Sequence, residues 1–442
     1  MQAFVATPRA VRTVGVGRGV RQRWRQWRQG AWRCEAGEEG ASATPRLSGV
    51  RLSRRALLQS AASLALGGWA VGALDGSSTV TVPAAVARSG LSVSSGAVNK
   101  DPESLLRWAL PMNNEALRRL QTELESVFKE VRQRRWGQVL DALRKANSMI
   151  ERDEKRLTAD MTTEDRIIGH SAIIDMMSKM KRLLQAAEAK EAEPVEEMTR
   201  EMLRVVGAME ELSVKGFPYE VPDDCKSLPL LLGRAAVEIV LRKGDEPGRP
   251  KQFDIDGNLY DRARMVMVID GYSAPVTGGN FVDLVSRGFY DGLKITRSDG
   301  FVVQTGDPDP DGTVHGFVDP QTKQLRTIPL EVFAKGDKMP LYHMSLDEDG
   351  RGGQPTVLPL TAYGTLCFAR EEFSPDSGSS QFFWFLFEPD LTPAGRNLVD
   401  GSFASFGYTV EGAFFLRNVE VGDVIESCKV IRGLDCLRQP TA

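Results

Sequence analysis

Apolar periodicity changes once along this chain, and that change limits what it can fold into. Between residues 101 and 212 the apolar positions step by three and four, as a helix with one buried stripe requires. Beyond about Leu228 the repeat gives way to short runs of β-branched and apolar residues separated by glycine-rich turns, which belong to strands. A single sheet or a single bundle cannot satisfy both periods. The chain is therefore read as α + β and multidomain: residues 1–87 a leader, 88–100 a Ser/Gly-rich linker, 101–212 a helical bundle, and 213–442 a β-rich domain.

Leu117, Leu120, Leu124, Val127 and Val131 place a first helix from about Asn113. Val139, Leu140, Leu143 and Ile150 mark a second. Thr163 is expected to cap a third that buries Ile167, Ile168, Ile174, Met177, Leu184 and Ala187. Pro194 suits the first turn of a fourth, with Met198, Met202, Val205, Val206 and Met209 inside. Short connections between four such helices predict an up-down bundle. Nine of the 14 methionines fall in this region. On the stripes they share with Ile, Leu and Val they read as core, the other reading being an adaptable peptide groove. The first stripe spans barely two heptads, too few for a sustained coiled coil. His170 reads as structural.

The formal charge of -3 averages two unlike segments. Residues 1–87 carry 12 Arg and four acids, a net +8, which leaves 44 bases and 55 acids, or -11, in the remaining 355 residues. The first 33 residues have no acid, and Ser53-Arg54-Arg55 precedes an apolar run from Ala56 to Ala73 and a small-x-small site at Ala85-Val86-Ala87. Acid-poor, Arg-rich composition followed by an arginine pair, an apolar run and a small-residue site describes a transit peptide ahead of a twin-arginine export signal. The run holds Gln59, two serines and three glycines, a poor membrane span. The address so read is the chloroplast thylakoid lumen. The acidic remainder argues against a nucleic-acid partner and against direct lipid binding.

Several chemistries lack their residues. The five cysteines include no Cys-x-x-Cys pair and no Cys/His cluster at zinc spacing, so the sequence predicts no metal site. Asp307-x-Asp309-x-Asp311-Gly312 opens like a calcium loop, but Val318 stands where the bidentate Glu belongs. Asp376-Ser377-Gly378 matches part of a protease nucleophile, yet His315 and His343 lie in no supporting motif. A phosphate-binding Gly-x-x-x-x-Gly-Lys is missing, and no cofactor is expected.

In the C-terminal half, strands are expected at Ala236–Leu241, Met265–Ile269, Leu293–Arg297 and Phe301–Gln304, with a short helix opened by Ala274-Pro275 and running over Phe281–Ser286. A second set of residues runs through the same region: Asn280-Phe281, Gly288-Phe289-Tyr290-Asp291-Gly292, Arg297, Phe301, Gln304-x-Gly306-Asp307, Ser379-Ser380-Gln381-Phe382-Phe383, Asp400-Gly401 and Phe406-Gly407. In order and spacing, from about Arg234 to Gly433, this set resembles the cyclophilin family of peptidyl-prolyl cis-trans isomerases. The resemblance implies a closed eight-stranded antiparallel β-barrel with a helix at each end. It also implies a substrate of proline-containing polypeptide segments, with Arg297 and Gln304 catalytic and Phe301, Val302, Arg370, Gln381, Phe383, Leu398 and Phe403 substrate-binding. Together with the leader and bundle, the arrangement resembles the large lumenal cyclophilins of plants and green algae, which implies lumenal loops of photosystem II core proteins as partners and a role in assembly and maintenance of that complex.

This chain departs from the family pattern around the catalytic positions. Ile295-Thr296-Arg297 stands for Phe-His-Arg, and Leu398-Val399-Asp400-Gly401-Ser402-Phe403 for Trp-Leu-Asp-Gly-x-His. Val302 replaces a Met and Arg370 an Asn-like backbone contact. Weak or absent activity on small peptides and poor cyclosporin affinity are expected, and the alternative function is a non-catalytic chaperone or scaffold. The stretch from Asp307 to Leu366 is expected to be a polar surface excursion. Cys428 and Cys436 are close enough in sequence for a lumenal disulfide to be considered.

Overall fold

The computed structural model describes residues 98–312, 314–386 and 399–440. The leader and most of the linker lie outside the described residues, as does Leu398. No described helix is long and apolar enough to cross a membrane.

The first described helix, α1 (Pro102–Ala109), was not singled out by periodicity; Asp101 caps it and Pro102 occupies its first turn. Four long helices follow: α2 (Glu115–Arg132), α3 (Trp136–Arg152), then a short α4 (Glu154–Leu157), α5 (Thr163–Glu188) and α6 (Ala192–Leu212). Helix α2 packs on α3 and α6, and α5 on the same two, so the long helices form a cycle around one core. The α2 stripe is buried as expected, with Leu117, Leu120, Leu124 and Val127 fully inside. On α5 the cap is Thr162, one residue earlier than expected, its Oγ1 accepting from the Asp165 amide.

The buried face of α5 differs from the expected one. Ile168, Ile173, Met176, Met180 and Leu183 point inward, while Ile167, Ile174 and Met177 are exposed. The sequence carries apolar doublets here, Ile167-Ile168, Ile173-Ile174 and Met176-Met177. Helical spacing alone allows either member of each doublet to lie inside. The methionines are mostly core: Met161, Met176, Met180, Met202 and Met209 are buried.

The C-terminal half is built on one eight-stranded antiparallel sheet: β1 (Arg234–Arg242), β2 (Ala263–Asp270), β3 (Arg297–Ser298), β4 (Val302–Thr305), β5 (Thr365–Phe368), β6 (Phe382–Phe385), β7 (Ser405–Glu411) and β8 (Val424–Arg432), in the order β8-β1-β2-β7-β5-β6-β4-β3. The ladder is a curled, open half-barrel, with β8 and β3 at its edges. Strand β3 is two residues long because residues 293–295 leave the ladder, while the Thr296 amide still bonds the Gln304 carbonyl at 2.9 Å. Residues 293–295 meet the start of β8 instead, through a bridge of Lys294 to Val424 and bonds from Ile295 N to Asp423 O and Ile425 N to Leu293 O, both 2.8 Å.

Helix α7 (Pro275–Ser286) opens at Ala274-Pro275, as the sequence predicts, and plugs the concave side, where its Phe281 meets Tyr290, Phe382 and Phe406 at ring distances of 5.0–5.3 Å. The stretch from 307 to 366 is more than a surface excursion. It sends Phe317, Ile328, Leu330, Val332, Ala334, Tyr342 and Leu346 into the main core, and its buried Glu331 accepts from the Val276 and Thr277 amides at the N-terminus of α7. Burial pushes the Glu331 carboxyl up to about 7, against those amide bonds. Composition misled because the apolar residues are dispersed among turn residues.

The helices and the sheet meet through α1 and around Arg234. Leu105 and Leu106 of α1 pack with Val268, Leu358, Ala362 and Tyr408. Buried Arg234 of β1 donates to the Leu106 carbonyl at 2.5 Å, to Asp270 at 3.1 Å and to Glu211 at 3.4 Å. The four described cysteines are free thiols.

Candidate active site on the convex face

Strand alternation divides β4 and β6 into two faces. Val303, Phe382 and Trp384 point into the main core. Val302, Gln304, Phe383 and Phe385 point to the other side, paired as Val302–Phe385 and Gln304–Phe383. Cys367 of β5 lies opposite Phe383. On this outer face Val302, Leu360, Cys367, Phe383 and Phe385 form a separate apolar cluster, bordered by Phe301, Ala369, Val399 and Phe403. The Phe403 ring stands edge-on to Phe383 at 5.3 Å and 89°.

Arg297 stands at the edge of that cluster, in register with Gln304 across β3 and β4. Its side chain is half exposed, and its Nη2 and Nε lie 2.6 and 2.7 Å from Asp299 Oδ2. The other oxygen of Asp299 accepts from the Phe301 and Val302 amides, both at 3.0 Å. Burial would raise the Asp299 carboxyl, but those amides and the guanidinium outweigh it and hold the group below the usual carboxylate range. Gln304 donates to Gln381 Oε1 at 2.8 Å, and Gln381 in turn reaches Asp307 Oδ2 at 3.4 Å. Asp307 also holds His315 Nδ1 at 2.8 Å.

Arg370 spends its donors on the protein itself. Two of its nitrogens reach the Ser402 carbonyl at 3.0 and 3.2 Å, a third reaches the Glu371 and Glu372 carbonyls at 2.9 Å, and the guanidinium covers the Phe403 ring at 5.4 Å. Arg370 and Phe403 thus form one rim together. Of the nine residues singled out by sequence, eight are brought to this face or its border, and Leu398 lies outside the described residues. Asp299, Leu360, Cys367 and Phe385 were missed. Phe385 was legible, being two residues beyond Phe383 on a strand. Leu360 was not, since it arrives from the 307–366 stretch.

The remaining motif residues position the site. Asn280 donates to the Ser379 carbonyl at 2.7 Å, Tyr290 to the Ser380 carbonyl at 2.9 Å, and Ser380 Oγ to the Gly306 carbonyl at 2.6 Å. Gly306 has φ +96°, and a Cβ there would lie 2.4 Å from Ser380 O, so only glycine lets the two segments close.

A curled antiparallel sheet plugged by a helix, with an arginine and a glutamine beside an aromatic cluster on its convex face, agrees with the family comparison. Residues 254–434 match the family model described as cyclophilin type peptidyl-prolyl cis-trans isomerase/CLD, and this chain belongs to that family. Residues 101–214 match a second model, the PsbQ-like domain of CYP38-like peptidyl-prolyl cis-trans isomerases. Among curated relatives, the chloroplastic peptidyl-prolyl cis-trans isomerase CYP38 of Arabidopsis thaliana is 42% identical over 350 residues, 78% of this chain and 77% of that protein. A putative thylakoid lumen peptidyl-prolyl cis-trans isomerase of Synechocystis is 41% identical over 338 residues, 76% of this chain and 84% of the relative. The chloroplastic CYP37 of Arabidopsis thaliana is 30% identical over 351 residues, 78% and 72%. The names of these relatives, chloroplastic for the two Arabidopsis proteins and thylakoid lumen for the Synechocystis one, agree with the chloroplast thylakoid-lumen localisation expected from the leader.

Proposed function

We propose that this chain isomerises prolyl peptide bonds in segments of thylakoid-lumen proteins, among them lumenal loops of photosystem II core proteins, and thereby assists assembly and maintenance of that complex. One observation carries the reading: Arg297 and Gln304 stand in register at the edge of the apolar cluster of Phe301, Val302 and Phe383. The proline ring would rest on that cluster. The Arg297 guanidinium would then donate to the substrate where the imide loses resonance on twisting. Resonance sets a barrier of about 18–20 kcal/mol, and a donor worth about 2.7 kcal/mol more in the twisted state than in the planar one gives about a hundredfold. Neither a nucleophile nor a cofactor is required.

A second reading, a weakly catalytic scaffold that holds such loops, is favoured by a specific feature. Asp299 occupies the guanidinium of Arg297, and Phe403 stands where the family has a histidine. The two readings separate in one assay of proline-limited refolding with wild type and Arg297→Ala. Catalysis lost in the variant supports the isomerase. Equal rates, with segment binding retained, would support the scaffold.

A further inference from the structure

Three segments distant in sequence converge beside the connector between helices and sheet. The 3₁₀ turn Asp223–Cys225 carries two of the side chains, Asp224 and Cys225. His343 follows the short strand Leu341–Tyr342, and Asp376 sits in the loop ahead of β6. One oxygen of Asp224, the sulfur of Cys225 and a ring nitrogen of His343 all lie within 4.8 Å of one another. His343 Nε2 faces Asp224 at 2.9 Å, and its Nδ1 faces Asp376 Oδ2 at 2.9 Å. Asp376 is itself tied to the main chain, its Oδ1 accepting from the Leu330 amide at 3.4 Å.

We propose that Asp224, Cys225 and His343 bind one divalent transition-metal ion of the zinc type, with Asp376 as the positioning residue. The donor set carries the choice of ion. A thiolate and an imidazole suit zinc and its neighbours, whereas calcium and magnesium select oxygen ligands. Histidines that ligate metals almost always give their second ring nitrogen to a carboxylate or carbonyl, which fixes the ring and its tautomer. His343 has that arrangement: Asp376 holds Nδ1, leaving Nε2 toward Asp224 and Cys225.

The geometry needs only a modest closure. Tetrahedral zinc with bonds of about 2.0–2.3 Å sets its donors about 3.3–3.6 Å apart. Cys225 is buried at 1% exposure, while Asp224 and His343 are partly exposed side chains already facing each other at 2.9 Å. Three protein ligands leave a fourth position for water or a partner's side chain. The ion would clamp the connector at 223–225 to the hairpin carrying His343 and, through Asp376, to the loop that begins at Arg370. Asp224 and His343 are 119 residues apart, which is why no local spacing in the sequence signals the site.

Cobalt(II) and zinc(II) titrations of the purified chain test this. Co²⁺ is expected to bind one per chain at this site with a thiolate-to-cobalt charge-transfer band, and Zn²⁺ to displace it. Cys225→Ser abolishes the band, and Cys436→Ser leaves it. Asp376→Asn keeps the band and weakens affinity about 10–100-fold. His343→Asn removes the imidazole while tolerating the local φ of +68°, since Asn accepts left-handed backbone better than most residues, and it lowers affinity at least as much. A band that is missing from the wild type, or that persists in Cys225→Ser, overturns the proposal. If Cys225→Ser does not fold, thermal melts decide: Zn²⁺ raises the midpoint of the wild type but not of His343→Asn, and equal shifts in both would refute the site.

Discussion

The ion pair between Arg297 and Asp299 is where activity would be set at the level of single residues. The pair is exposed enough that solvent screens it, so it is worth about 0–1 kcal/mol, and a substrate carbonyl can compete for the guanidinium. Asp299→Asn keeps an oxygen for the Phe301 and Val302 amides and frees the guanidinium, so kcat/KM is expected to rise, by at most about fivefold. An unchanged or lower value would mean that Asp299 orients Arg297 instead of occupying it. A second residue-scale effect lies at Glu210, where burial pushes the carboxyl up to about 8 against the attraction of Arg118 and Arg107. An acid whose folded pKa exceeds its ordinary 4.5 holds an extra proton in the native state, so the contribution of Glu210 to stability is full below about 4.5 and is lost as pH rises toward about 8. Glu210→Gln should flatten this slope. Urea midpoints at either end of the window check it, and an unaltered slope in the variant would refute it.

Elements were legible where one residue type decided the face, and illegible where two neighbours competed. The α2 stripe could be read directly because Leu117, Leu120, Leu124, Val127 and Val131 repeat at steps of three and four among mostly polar residues. On α5 the apolar doublets hid the inward face. The joint between α1 and the sheet was invisible to periodicity, since it depends on Arg234 finding the Leu106 carbonyl 128 residues away. Arg234→Met should show what that joint is worth. It leaves fully buried Asp270 without its cation, a loss of about 3–5 kcal/mol, measurable by denaturant unfolding. A change under about 1 kcal/mol would mean that Asp270 is satisfied by Ser273 alone.

For the molecule as a whole, the sequence separated helices from sheet and carried most of the convex-face residues through spaced motifs, whose resemblance to the cyclophilin family pointed to Phe383 and Gln304. It could not place what the 307–366 stretch contributes, since Leu360 and Glu331 reach their positions through turns with no period. The helical region joins the sheet through α1, Val268, Tyr408 and Arg234, while Arg297 stays half exposed. Removal of residues 101–212 is therefore expected to lower stability without raising activity; a several-fold gain in kcat/KM would show that the helices mask the site.

The central claim is that Arg297 drives isomerisation. Exchange spectroscopy by NMR on a proline-containing peptide from a lumenal loop measures it most directly, because cis and trans signals report the catalysed rate while shift changes report binding. The wild type should accelerate exchange and Arg297→Ala should lose about a hundredfold of that acceleration, with binding largely kept and the thermal midpoint unmoved. Equal acceleration by both proteins, or binding by the wild type with no acceleration, would contradict it.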